Sequence, residues 1–330
     1  MSKIELVCPA GSPAMLRAAV EAGADSVYCG LRDETNARNF PGLNFSPEEL
    51  SNSVAWAREH GAKVLVAINT FARVGAVDTW RASVDTAARS GADAIIVADL
   101  AILAYARDAH PGLRLHLSVQ AAAGSPDAIG FYARTYGVKR VVLPRVLSAP
   151  EIAALNRQVT IETEAFVFGG LCVMAEGRCA LSSYATGRSP NLSGVCSPPE
   201  AVSYETLDGV LTSRLAGFTL DRFAPGEPAG YPTLCKGRFL ADDEAGYLFE
   251  EPTSLNAMAL LAELAKAGVT AVKIEGRQRG KAYVSRVTAA FRAALDALAR
   301  GEPTEPYQTL LSHLAEGGRE TAGAYKKSWR

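Results

Sequence analysis

Short apolar runs alternate strictly with longer helical stretches along this chain, and that alternation limits the possible folds more than any other feature. The runs lie at 4–10 (IELVCPA), 25–30 (DSVYCG), 63–69 (KVLVAIN), 94–99 (AIIVAD), 115–120 (LHLSVQ), 140–145 (RVVLPR) and 160–169 (TIETEAFVFG). Helices are expected between them, at Pro13–Ala22, 46–60, Val77–Ser90, 100–109, Pro126–Tyr136 and Ser148–Asn156. Pro13 suits a first helical turn and Ser12 its N-cap. After 169 the pattern breaks. It resumes with a helix expected at Leu255–Ala267, a strand at 271–276 (AVKIEG) and a helix at Ala282–Arg300.

Strands that alternate with helices pair in parallel, because parallel neighbours need crossover connections. The runs are continuously apolar, as strands covered on both faces require. A glycine-led grammar repeats in GADSVYCG (23–30), GADAIIVADL (91–100), GVKRVVLPR (137–145) and GVTAVKIEG (268–276). Eight such units make a (β/α)8 TIM-like barrel the expected fold, with an open doubly wound sheet as the alternative. No G-x-G-x-x-G follows a strand, which argues against dinucleotide binding. The expected division is a barrel from 1–169 and 268–300, an insertion at 170–267 after strand seven, and a C-terminal tail at 301–330. The tail reads as an extended crossing followed by a short helix.

Composition narrows the class. Hydrophobic residues make up 48% of the chain and charged residues 21%, an ordinary globular balance, and the net charge is −1. No global basic surface for nucleic acid follows from that charge. No apolar run reaches the ~18 residues of a membrane span. The opening MSKIELVCPAGS enters a strand directly, without a signal-like apolar core, so a cytoplasmic protein is expected.

The break in the pattern carries most of the sulfur. Cys172, Cys179, Cys196 and Cys235 follow a C-x6-C-x16-C-x38-C spacing. Thiols outside a secretory context point to metal rather than to disulfides. Soft sulfur donors take zinc, copper(I) or an iron–sulfur cluster. Structural zinc favours tight C-x2–4-C pairs, absent here, whereas wide spacing suits a cluster held by several loops. Gly169, Gly170, Gly177, Gly194 and Gly237 let backbone approach such a group closely. Arg178, Arg188, Lys236 and Arg238 supply positive charge that favours thiolates. Cys8 and Cys29, inside strands, read as small buried hydrophobes.

In a barrel of this kind the chemistry lies at the C-terminal ends of the strands. Those ends and their loops carry Asn36, Arg38, Asn69, Asp99, Gln120, Arg145, Glu164, Glu275 and Arg277. The candidates for binding and catalysis are Arg38, Asn69, Gln120, Arg145, Glu275 and Arg277. Arginine binds carboxylates through a two-toothed fork, so this rim is expected to hold a small anionic ligand. Asp99 reads equally well as the N-cap of the helix that starts at Leu100. Of the four histidines, His60, His110 and His313 lie on helices or their ends, and His116 reads as a packed strand residue. Neither H-E-x-x-H nor G-x-S-x-G occurs.

CPAGSPAMLRAAVEAGADSVYCGL, TNARNFPGLNFS, VLPRVLS, FGGLCVMAEGRC, GYPTLCKGRF, EEPTSLN and VKIEGRQR together resemble the collagenase-like peptidase family, in particular its UbiU branch. The resemblance covers nearly the whole chain. It implies a 4Fe–4S cluster on Cys172, Cys179, Cys196 and Cys235 and a role in oxygen-independent hydroxylation of a ubiquinone precursor. It further implies a heterodimer with a UbiV-like homologue, a UbiT-like lipid carrier in the same pathway, and prephenate as hydroxyl donor in RNA-hydroxylating relatives. Two other activities occur under the same resemblance: hydroxylation of RNA bases, and the peptidase activity of the family name. The near-neutral charge argues against the first and the lack of a nucleophile–base pair against the second.

Overall fold

A computed structural model describes residues 3–172, 174, 179–190, 196–315 and 318–326. The first half is a run of βα units. Strands β1 (Glu5–Pro9), β2 (Ser26–Gly30), β3 (Lys63–Ile68), β4 (Ala94–Val97), β5 (Arg114–Leu117), β6 (Arg140–Val142) and β7 (Glu162–Gly170) are separated by six helices. These are α1 (Pro13–Glu21), α2 (Pro47–Glu59), α3 (Val77–Arg89), α4 (Leu100–Ala109), α5 (Pro126–Tyr136) and α6 (Ala149–Asn156). Local chemistry starts several of them. Ser46 with Glu49 and Ser148 with Glu151 form reciprocal capping boxes, each followed or accompanied by a proline in the first turn.

The insertion comprises α7 (Leu181–Thr186), an antiparallel meander of β8 (Val202–Leu207), β9 (Val210–Leu215) and β10 (Phe218–Phe223), and a hairpin of β11 (Arg238–Ala241) and β12 (Glu244–Tyr247). The chain then returns along β13 (Ser254–Asn256), which lies antiparallel to the end of β7. A 3-10 turn and the short helix α8 (Leu261–Lys266) lead into β14 (Ala271–Ile274) and the long helix α9 (Lys281–Ala299). The helix expected from Leu255 therefore starts later. Its first residues form a strand because they pair with Gly169 and Gly170, a tertiary contact that overrides the apolar spacing of Leu255–Leu264.

Strand β14 pairs in parallel with both β7 and β1, and β1 to β7 pair in sequence order. The eight parallel strands thus close into a (β/α)8 barrel. Side chains alternate across the barrel wall. Leu6 and Cys8 join the main core under the helices, whereas Val7, Tyr28, Leu65, Ala94, Ile96 and Ala271 form a separate apolar cluster. Beneath that cluster lies a buried ionic group: Arg140 contacts Glu5 and Glu162 at 2.7 Å and Glu164 at 3.1 Å. The tail is a 3-10 helix (Glu305–Leu314), the two-residue β15 (Glu320–Thr321) beside β13, and a final 3-10 turn. It packs on the barrel, with the Tyr325 hydroxyl donating to the Phe166 carbonyl at 2.5 Å.

Candidate functional site

The C-terminal rim of the barrel and the insertion enclose a cavity of about 710 Å³. Its barrel side includes Arg38, Asn69, Gln120, Arg145, Glu275 and Arg277, and its insertion side includes Cys172, Cys179, Cys196 and Cys235. The six rim residues singled out from the sequence and the four clustered cysteines therefore face one space.

Three other rim candidates do not line it. Asp99 caps α4, accepting from the Ala101 and Ile102 N–H groups, and also accepts from Ala72. Glu164 is not at a strand end, because β7 continues to Gly170. It is wholly buried inside the barrel, 2.6 Å from Lys273 and 3.1 Å from Arg140. Asn36 is buried under the rim, where its Oδ1 accepts from Arg277 Nη1 at 3.2 Å and from the Arg38 N–H at 3.0 Å.

Arg277 is only 4% exposed, and among the described residues no carboxylate lies within ion-pair distance of it. Its guanidinium lies 5.8 Å from the centre of the Tyr28 ring. Burial pushes its pKa down to about 10. A buried guanidinium without a carboxylate gains strongly from an incoming anion, which restores the interactions lost with water. Arg38 Nε lies 3.7 Å from Glu275 Oε1. Glu275 Oε2 accepts from the Gly170 N–H at 3.3 Å, and Arg145 Nη1 donates to the Gly170 carbonyl at 2.5 Å. The Arg145 guanidinium also sits 4.7 Å from the Phe166 ring centre.

Asn69 braces the loop after β2: its Oδ1 accepts from the Ala37 N–H at 3.0 Å. Gln120 is buried with its Oε1 lacking a hydrogen-bond partner among the described residues, an acceptor open to a ligand donor. Sequence reasoning missed Lys273, which lines the cavity, bonds Glu164 at 2.6 Å and covers the Tyr28 ring at 4.0 Å. Burial lowers its pKa and Glu164 opposes that shift. The signal was present: AVKIEG carries one charge inside a strand that is otherwise buried and apolar until its end. Among the described lining residues, Arg38, Arg145, Lys236, Lys273, Arg277 and Arg279 face only one acid, Glu275.

The thiols come from four separate stretches. Cys172 follows β7, Cys179 precedes α7, Cys196 precedes the meander, and Cys235 sits in a 3-10 turn at Leu234–Lys236 that packs on α7. Burial and the nearby Cys196, Cys172 and Cys179 push the Cys235 thiol up to about 12. Burial also raises Cys196, against the pull of Arg38. Each thiol thus lies in the field of others, with cations beside them. Among the described residues no three His, Cys, Asp or Glu side chains gather closely enough for a single metal ion. By donor chemistry, an all-sulfur set around one cavity suits a soft metal or an iron–sulfur cluster. Gly177, Arg178 and Gly194 lie outside the described residues. Of the other neighbours, Gly237 packs against the Leu220 carbonyl, where a Cβ would come within 2.9 Å, and Lys236 is buried with its Nζ on the Thr253 carbonyl at 3.3 Å. Arg188 and Arg238 pair instead with carboxylates of the insertion, Glu200 and Asp221.

Fold and site together define a (β/α)8-barrel protein with a basic, anion-receptive mouth set against four thiols. Residues 11–325 match the model of peptidase family U32, and the chain belongs to that family. It is 31% identical to tRNA hydroxylation protein P of Escherichia coli, over 96% of this chain and 72% of that protein. It is 29% identical to the 23S rRNA 5-hydroxycytidine C2501 synthase of the same organism, over 90% of this chain and 40% of the synthase. A collagenase of Porphyromonas gingivalis is 28% identical over 91% of this chain and 67% of the relative. No helix among the described residues is long and apolar enough to cross a membrane.

Proposed function

We propose that Cys172, Cys179, Cys196 and Cys235 hold a 4Fe–4S cluster and that the barrel mouth serves an oxygen-independent hydroxylation of a ubiquinone precursor. The observation that carries this reading is the shared cavity, in which four thiols and a basic rim face the same space. The hydroxylation names of the relatives support the reaction type. A bound cluster supplies one-electron chemistry at the cavity wall. The chain's own residues do the rest. Arg277 and Arg38 receive the carboxylate of a prephenate-like hydroxyl donor. Phe40, Ile96 and Val142 give the cavity an apolar wall for an aromatic ring, and the unpaired Gln120 Oε1 accepts from a ligand hydroxyl. A UbiV-like homologue completes the active heterodimer, and a UbiT-like carrier presents the lipid-tailed precursor.

The names of the relatives favour a second reading, hydroxylation of an RNA base. The net charge of −1 gives it no global basic surface, and the positive charge is gathered in the cavity mouth instead. Deleting the gene and growing cells without oxygen separates the two. The proposed reading expects ubiquinone to disappear while hydroxylated tRNA and rRNA nucleosides persist. Normal ubiquinone with lost hydroxynucleosides would transfer the function to RNA. Complementation with Arg277→Ala is expected to fail to restore ubiquinone, because losing one charge-assisted bond weakens donor binding about ten- to a hundredfold, with iron content unchanged.

A further inference from the structure

The backbone of Gly170 is gripped on both sides of its Cα. Its N–H donates to Glu275 Oε2 at 3.3 Å, from the end of the eighth barrel strand. Its carbonyl accepts from Arg145 Nη1 at 2.5 Å, from the loop after β6. Both side chains are themselves fixed. Arg145 stacks on Phe166 at 4.7 Å, and Glu275 Oε1 lies 3.7 Å from Arg38. The backbone is close-set here as well: a Cβ at Gly169 would lie 2.7 Å from the Glu275 carbonyl oxygen. Two residues beyond Gly170 stands Cys172.

We infer that Arg145 and Glu275 are positioning residues that clamp the two peptide groups flanking Gly170 and so fix where Cys172 presents its sulfur. The inference rests on the cluster reading above. It gives these two rim charges work that needs no direct contact with the ligand. A bridge of charged side chains across strands six, seven and eight holds the thiol-bearing loop on the rigid barrel instead of leaving it to the insertion. Partners behind a metal ligand of this sort typically change metal affinity by about ten- to a hundredfold when removed.

The test uses the full chain purified without oxygen, with three readouts: iron per protein, the rate of cluster bleaching by a chelator, and the electron paramagnetic resonance spectrum after dithionite reduction. Arg145→Ala and Glu275→Ala are expected to bleach about ten- to a hundredfold faster than the parent and to show an altered spectrum. Glu275→Gln keeps an acceptor for the Gly170 N–H and Arg145→Lys keeps a donor for its carbonyl, so both are expected to restore slow bleaching. Asp99→Ala, which removes the distant α4 cap, controls for general loss of stability and is expected to leave bleaching and spectrum unchanged. If the alanine variants do not fold, Arg145→Met and Glu275→Met fill the same space without the polar groups and carry the same expectation. Parent-like bleaching and spectra in the Arg145 and Glu275 variants, beside an iron-loaded parent, would overturn the clamp. A parent without iron would instead overturn the cluster reading on which it rests.

Discussion

His116 faces the buried charges of the barrel interior and is only 2% exposed. Its Nε2 accepts from Arg114 Nε at 3.0 Å, while its Nδ1 has no partner among the described residues. Burial, then the positive charges of Arg140, Arg114, Lys273 and Lys63, hold its pKa well below 6.5. Below pH 6.5 the unfolded chain takes up a proton that the folded chain refuses, so stability falls as pH falls through that value. Glu5 and Glu162 have pKa values lowered below 4.5, so their contribution persists until more acid conditions. Between pH 6.5 and 5 the slope is therefore expected to belong largely to His116, at up to about 1.4 kcal/mol per pH unit. Urea unfolding across that window should show the slope in the parent and a flatter line in His116→Gln; equal slopes would remove His116 as the cause. Read from the sequence, His116 was already a packed strand residue. Of the charges that depress its pKa, Arg114 stands two residues before it on β5, whereas Arg140, Lys273 and Lys63 belong to other strands and reach it only through the fold.

At the level of elements, β7 does the most positioning. It pairs with β6 on one side, with β14 along most of its length, and with β13 at its end. Gly169 makes the seam possible: its φ of 113° lies where side chains are rarely tolerated, and its missing Cβ leaves room for the Glu275 carbonyl. Gly169→Ala is expected to cost about 1–3 kcal/mol of unfolding free energy, the usual scale of such strain. Chemical denaturation measures it, and an unchanged midpoint would show that the seam relaxes freely. The barrel strands were legible because each is an apolar run ended by a polar residue and led by a glycine. The insertion was not, although its signals exist. Asp208–Gly209, Ala216–Gly217 and Asp242–Asp243 all have positive φ at the tips of the hairpins, the geometry of tight two-residue turns. The first of them is a D-G pair with Leu207 and Val210 on either side, the signature of a two-residue hairpin turn. β13 was hidden for a different reason: Ser254–Asn256 is a strand only because the two glycines ending β7 leave an edge for it.

For the whole molecule, closure of β14 onto β1 and β7 brings residues from the two ends of the sequence into one rim. Asn36 and Arg277 are 241 positions apart and share a hydrogen bond of 3.2 Å. The sequence places these residues on one rim only through the barrel itself; because the insertion leaves strand seven at that rim, it also puts the cysteine stretch above or beside the mouth, and in the structure the four cysteines line the same cavity as the rim residues. That coincidence of rim and thiols is the centre of the account, and the metal content of the chain tests it most directly. Protein purified without oxygen is expected to be brown and to carry iron and acid-labile sulfide in near-equal amounts, approaching a 4Fe–4S complement. Alanine at any one of Cys172, Cys179, Cys196 or Cys235 should strip most of both, and alanine at Cys8 or Cys29 neither. Stoichiometric zinc, or an iron content indifferent to those four substitutions, would contradict the account.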